Sequence, residues 1–282
     1  VFGANVFGWT VDQPTAFRLL DRFVDSGLNA IDTADIYSRW VPGNRGGESE
    51  TMIGNWLKAS PSRRSEVVLI TKVGAAPGPG GRGLSFKSIL VGAEASLRRL
   101  QTDHIDLYLS HLPDAATPIE ETLRAYEALI RAGKVRAIGS SNATVESLKQ
   151  ALKTASAENL PRYEVEQPEY NLYTRKPFED GLRDFCLKED VSVIAYYSLA
   201  AGFLTGKYRS KQDVNRSARG AAVTEKYLNA RGLRILAALE LVQETLEGGE
   251  VGEPNAPRKA FDLTDRGEGA LEGRIAAPAG PE

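Results

Sequence analysis

The sequence predicts an α/β fold: a parallel (β/α)8 barrel of the TIM type whose eighth unit is absent or altered. Three observations carry this expectation. Seven short apolar runs alternate with stretches of helical period, the pattern of parallel strands joined by right-handed crossovers. No Gly-x-Gly-x-x-Gly follows the first run and there is no Walker-type phosphate loop, which argues against a doubly wound dinucleotide fold. From Gly248 to Glu282 the chain is rich in Gly, Pro and charged residues and holds no compact apolar run fit to be an eighth buried strand.

The elements follow in order. Val1–Phe7 is the first apolar run, and Pro14–Asp25 has apolar residues at helical spacing, ended by Gly27. Asn29–Thr33 is the second strand and Glu48–Ala59 the second helix, with Ser49 as its expected cap. Glu66–Val73 and Ser85–Leu100 form the third unit. His104–Ser110 and Pro118–Ala132 form the fourth, proline starting the helix and Gly133 ending it. Val135–Gly139 with Thr144–Ala157, and Tyr163–Gln167 with Pro177–Lys188, are the fifth and sixth. Val191–Tyr196 is the seventh strand; a long loop then leads to a helix over Ala222–Leu246. The expected division is residues 1–247 as the barrel and 248–282 as an irregular tail.

Composition narrows the function classes. The 282 residues carry a net charge of −2, so nothing suggests an electrostatic claim on nucleic acid or an anionic membrane. One cysteine excludes an internal disulfide and fits a reducing compartment; with two histidines, no metal site is expected. No apolar stretch approaches the roughly 18 residues of a membrane helix. The chain begins at Val1 and shows no signal-peptide pattern, so the expectation is a cytoplasmic protein.

Four residues carry the chemistry: Asp32 and Tyr37 in Asp-Thr-Ala-Asp-Ile-Tyr, Lys72 in Leu-Ile-Thr-Lys, and His111 in Leu-Tyr-Leu-Ser-His. Each sits at or just past the C-terminal end of a predicted strand, and parallel strands deliver such residues to one face. Taken singly they read as a turn residue, a packing aromatic, a solvated lysine and a core histidine. Together they can deliver a proton to a carbonyl oxygen. A phenol near pKa 10 is a poor acid at neutrality, and a nearby ammonium is expected to lower it. Lys72 fits that role with Asp32 holding it, while His111 suits donation to the carbonyl oxygen or proton relay.

Asn29–Tyr37, Asn-Ala-Ile-Asp-Thr-Ala-Asp-Ile-Tyr, resembles the signature of the aldo-keto reductase superfamily. Gly47-Glu48-Ser49-Glu50 with Ile53-Gly54, then Thr71-Lys72, Ile105–Tyr108 ending at His111, Gly133–Arg136 with Ile138-Gly139, Ser141-Asn142, Gln167 with Tyr170-Asn171, and Leu199 through Tyr208 extend the likeness in order over roughly residues 1–245. It is nearest to the branch of potassium-channel β subunits and bacterial general-stress reductases.

The resemblance implies an NAD(P)H-dependent oxidoreductase interconverting aldehydes or ketones with alcohols, Tyr37 acting as acid within a tetrad completed by Asp32, Lys72 and His111. It implies that Ser141, Asn142 and Gln167 hold the nicotinamide carboxamide, that Tyr196 (or its neighbour Tyr197) stacks on the ring, and that Leu199, Gly202 and Lys207 follow the pyrophosphate. Arg216 or Arg219 is expected at a phosphate. NADP(H) is favoured over NAD(H), the partner is a small carbonyl compound, and an oligomer is compatible. Trp40 is a candidate for the substrate pocket, Gly74–Gly83 for a flexible rim, and His104 for a structural role.

The sequence departs from the family pattern at both ends, without an N-terminal hairpin and without a recognisable segment for the adenosine end. A non-catalytic or weakly catalytic NADPH-sensing subunit, and a truncated or frame-shifted inactive product, are therefore the competing expectations. A hydrolytic barrel using Asp32 and His111 would leave Lys72 and Tyr37 idle.

Overall fold

A computed structural model describes residues 1–75 and 82–248. The central part of the Gly74–Gly83 loop and the tail from 249 to 282 lie outside the described residues. Residues Val1–Ile235 form one compact unit; the described residues from Leu236 to Gly248 belong to a second.

The first unit is built on seven parallel strands in sequential order: β1 (Phe2–Gly3), β2 (Ala30–Asp32), β3 (Val68–Val73), β4 (Ile105–Ser110), β5 (Val135–Ser141), β6 (Val165–Gln167) and β7 (Ser192–Val193). All neighbouring pairs are parallel, and among the described residues no pairing joins β7 to β1. Between the strands run α1 (Gln13–Asp25), α2 (Glu48–Ala59), α3 (Phe86–Leu100), α4 (Ile119–Arg131), α5 (Val145–Glu158), α6 (Lys176–Glu179) and α7 (Leu182–Lys188). After β7 come α8 (Gly220–Tyr227) and α9 (Ala230–Gly248). This is the α/β barrel architecture expected from the sequence, with seven strands among the described residues.

Three helix starts follow local rules. Asp12 accepts from the Thr15 amide, Ser85 from that of Ser88, and Thr144 exchanges bonds with Ser147, each answering one of the amides a first turn leaves unpaired. At α2 the expected Ser49 cap is not what forms. Gly47 holds the cap position at φ 88°, and the Glu48 carboxylate accepts from the Arg45 amide at 2.7 Å. Ser49 instead donates to the Ala4 carbonyl at 2.8 Å.

Alternation along the strands sorts side chains into two layers. On β2 and β3, Ile31, Leu69 and Val73 join the large core beneath the helices, with Ala16, Leu20, Ile53, Trp56, Ile89 and Tyr108. Ile70, Leu107 and Leu109 form a second, inner cluster, against which Ala30, Val68 and Ile194 pack. Asp32 shares the face of Ala30, and Lys72 that of Ile70, so period two alone turns both polar groups toward the interior.

Several predicted elements are shorter or divided. The first strand stops at Gly3 because Phe7 turns back to bond the Ala4 carbonyl. The third begins at Val68, since Pro61–Glu66 is a 3-10 helix. The seventh predicted strand reduces to Ser192–Val193. Pro168 on the neighbouring segment accepts from the Tyr196 amide but has no N–H to return, so the ladder resumes only as a bridge between Glu169 and Tyr196. Helix Pro177–Lys188 divides at Gly181, which has φ 99°. The last predicted helix divides at Asn229, whose side chain accepts from the amides of Arg231 and Gly232 as a new cap.

Candidate active site

The C-terminal ends of β2, β3, β4, β5 and β6 converge on a cavity of about 630 Å³ lined by Asp32, Tyr37, His111, Ser141, Asn142, Gln167 and Tyr196, among others. Beneath it the Lys72 ammonium, 1% exposed, donates to Asp32 Oδ1 at 2.7 Å and Oδ2 at 2.8 Å, and to the Thr33 carbonyl at 2.8 Å. The same nitrogen lies 3.0 Å from the Tyr37 hydroxyl. Gln167, arriving on β6, donates to Asp32 Oδ1 at 3.2 Å. The His111 ring stands 6.0 Å from the Tyr37 ring at a steep angle, and its Nδ1 is buried with no hydrogen-bond partner among the described residues. All four residues of the predicted set are therefore brought together.

Electrostatics sharpen their states. Burial pulls the Lys72 amine down, but Asp32 and Tyr37 outweigh it, so the group holds its proton more firmly than an ordinary lysine. Burial lifts the Tyr37 phenol, and the Lys72 ammonium only partly offsets that. The expected lowering of the phenol is thus reversed in direction in this cavity, because desolvation exceeds the attraction. Burial, then the Lys72 charge, push His111 down to about 3, leaving a neutral imidazole that offers one N–H.

Ser141, Asn142 and Gln167 present hydroxyl and amide groups to the cavity. Asn142 adopts φ 61°, a left-handed conformation its short side chain tolerates. Its amide nitrogen donates to the His111 carbonyl at 3.1 Å and to Ser141 Oγ at 3.0 Å, while its oxygen accepts from the Tyr196 hydroxyl at 2.7 Å. Tyr196, a ring-stacking candidate, is thus tied by its hydroxyl as well as lining the cavity. Tyr197, beside it, lines the same cavity at φ 55°.

A second cavity of about 660 Å³ shares Tyr197, Ser198 and Arg219 with the first. Leu199, Gly202 and Lys207, the residues expected along a pyrophosphate, line it. Gly202 sits at φ 97°, and a Cβ there would come within 3.3 Å of the Lys207 ammonium. Of the two candidate arginines, Arg219 faces both cavities, held by Asn5 at 3.0 Å and stacked over Trp9. Arg216 pairs with Asp213 at 2.6 Å outside both. The two adjoining cavities thus differ in character, Asn142 and Gln167 bringing amides to the first and Lys207 and Arg219 bringing cations to the second.

Trp40, 47% exposed, packs edge-on against Tyr37 and Trp9 and lines the first cavity. Sequence reasoning passed over Trp9, Asn5, Ile36 and Leu112, which also line these cavities. Trp9 carried a usable signal, an aromatic in the loop after the first strand. His104 lies away from both cavities, its Nδ1 2.6 Å from Asp103.

The profile of the Aldo/keto reductase family matches residues 1–251. The uncharacterized oxidoreductase YrpG of Bacillus subtilis (strain 168) is 39% identical over 234 residues, covering 80% of this chain and 70% of that protein. A probable voltage-gated potassium channel subunit beta of Arabidopsis thaliana is 36% identical, covering 82% of this chain and 69% of that protein. One of Oryza sativa subsp. japonica is 35% identical, covering 87% and 70%. The ordered strand-end residues, the parallel seven-stranded sheet and these likenesses agree: the chain belongs to the aldo/keto reductase family.

Proposed function

We propose that this chain is a nicotinamide-dependent oxidoreductase that reduces small aldehydes or ketones to alcohols, reversibly, with Tyr37 as proton donor. The observation that carries the reading is the Lys72 ammonium held between Asp32, at 2.7 Å, and the Tyr37 hydroxyl, at 3.0 Å, at the floor of the cavity. The reduced nicotinamide, when bound, supplies hydride to the carbonyl carbon. Tyr37 gives its proton to the carbonyl oxygen, and the adjacent ammonium favours the phenolate that remains. Asp32 keeps Lys72 charged and in place. The neutral His111 N–H donates to the same oxygen and orients it.

Ser141, Asn142 and Gln167 would hold the carboxamide; Leu199, Gly202, Lys207 and Arg219 would hold the pyrophosphate. We assign NADP(H) in preference to NAD(H), and residues 1–247 as the catalytic barrel. Trp40 would close the substrate side.

A second reading is a nicotinamide-sensing subunit with little turnover. The likeness to two probable potassium channel β subunits favours it. One experiment separates the two: follow oxidation of NADPH and NADH by absorbance with a panel of aldehydes and ketones, for wild type and Tyr37→Phe. Turnover that falls by roughly 10²-fold or more in the variant, with cofactor binding retained, supports reduction. Binding without turnover in wild type supports sensing. Absence of both binding and turnover in a folded protein refutes both.

A further inference from the structure

Two residues in the first turn of α2 make hydrogen bonds that the chemistry above does not use. Ser49 Oγ receives a bond from Thr33 Oγ1 at 2.9 Å and passes its own proton to the Ala4 carbonyl. Glu50 Oε1 accepts from Thr71 Oγ1 at 2.6 Å. Thr33 is the residue after Asp32, and Thr71 the residue before Lys72. Adjacent strand residues point to opposite faces, so the two threonines lie on the helix side while Asp32 and Lys72 face inward.

Glu50 itself is fully buried. A buried carboxylate costs several kcal/mol unless it is paired, and an apolar side chain would pack α2 against the sheet more cheaply. Here Arg99, from the last turn of α3, donates to Glu50 Oε2 at 2.6 Å and to Ser96 Oγ at 3.3 Å. The carboxylate is thereby fixed from the helix layer and its other oxygen is left for β3. The arrangement joins a two-point support on one face of the sheet to the reacting pair on the other.

We propose that Ser49 and Glu50, the latter gripped by Arg99, are positioning residues that set Asp32 and Lys72 in register through Thr33 and Thr71. This rests on the carbonyl-reductase reading for its effect on rate, but not for its effect on Lys72. Small displacements of reacting groups cost rate steeply, about 10²-fold for an ångström. The hydroxyl of Thr71 is the link to test: valine keeps its shape and removes the bond, leaving Glu50 Oε1 without that donor.

The test compares Thr71→Val, Thr71→Ser and a core truncation elsewhere, Leu129→Val, with wild type. Two measurements are made on each folded protein: reductive methylation of Lys72, read by peptide mass spectrometry, and steady-state reduction of the best aldehyde substrate with the cofactor dissociation constant. Thr71→Val is expected to raise Lys72 methylation several-fold and lower kcat by roughly tenfold, KM and cofactor affinity staying within about twofold. Thr71→Ser, which restores the hydroxyl, is expected to recover both. Should Thr71→Val fail to fold, Glu50→Gln serves in its place, since it keeps an acceptor for Thr71 but loses the ion pair to Arg99; its methylation should rise likewise. Lys72 no more reactive in the variant than in Leu129→Val overturns the proposal. Loosened Lys72 in a protein whose wild type reduces no carbonyl leaves the positioning intact and refutes the reductase reading instead.

Discussion

The Tyr196 hydroxyl donates to the Asn142 amide oxygen at 2.7 Å, across 54 residues of sequence. Burial, with Glu169 next, pushes the phenol up to about 12, so it stays a donor throughout the working range of pH. With its nitrogen tied to His111 and Ser141, the Asn142 amide has one orientation before any ligand arrives. Tyr196→Phe should keep the ring and lose this bond. Cofactor affinity measured by fluorescence titration is expected to fall roughly fivefold, the equivalent of a hydrogen bond of ~1 kcal/mol. An unchanged dissociation constant would show that the amide is oriented by His111 and Ser141 alone.

Removing the Lys72 ammonium should cost stability as well as turnover. Lys72→Met leaves Asp32 buried without its cation, and urea unfolding is expected to show a loss of about 3–5 kcal/mol. Adding Asp32→Leu should return part of that loss, since the double variant buries no orphaned charge. A double variant as unstable as the sum of the singles would place the effect elsewhere.

Asp35 gives the site neighbourhood a pH signature. Burial, and then the Glu50 charge, lift its carboxyl from 3.8 to about 7, and its Oδ1 has no partner among the described residues. The folded chain therefore keeps a proton that the unfolded chain has released. The stability from that proton is complete below the unfolded value and is lost as pH rises through about 7. Asp35→Asn, which cannot ionise, should gain on wild type by roughly 2 kcal/mol between about pH 5 and about pH 8. A difference that is flat with pH, in urea melts at both values, would exclude the shift.

Gly54 on α2 lies where a Cβ would come 2.0 Å from the Arg99 carbonyl. Gly54→Ala should destabilise the fold by about 1–3 kcal/mol despite the better helix propensity of alanine. A melting temperature at or above that of wild type would mean that the helices separate at little cost.

These particulars show what the sequence could disclose. Asp32, Tyr37, Lys72 and His111 were legible because strand periodicity and parallel topology suffice to bring strand ends together. Ser141, Asn142, Gln167, Leu199, Gly202 and Lys207 came from resemblance, and the structure places them on two adjoining cavities. Arg216 and Arg219 look alike by spacing, and tertiary contacts separate them: Asp213 pairs with Arg216, while Arg219 lines both cavities beside Asn5 and Trp9. The division at Asn229 was written in a capping side chain but hidden inside a continuous helical period. The raised Tyr37 phenol depends on how much water the fold excludes, which no local pattern encodes.

The bond from Gln167 to Asp32 spans 135 residues. A contact of that separation closes a loop through most of the sheet, and the entropic cost of that closure falls once the intervening strands have paired. A chain still emerging from the ribosome can have Asp32, Tyr37, Lys72 and His111 already synthesised and yet lack the amide that completes the carboxylate's surroundings. The surroundings of Asp32 are thus complete only once the sixth strand is present, and a chain still short of it holds Asp32 and Lys72 without the Gln167 amide.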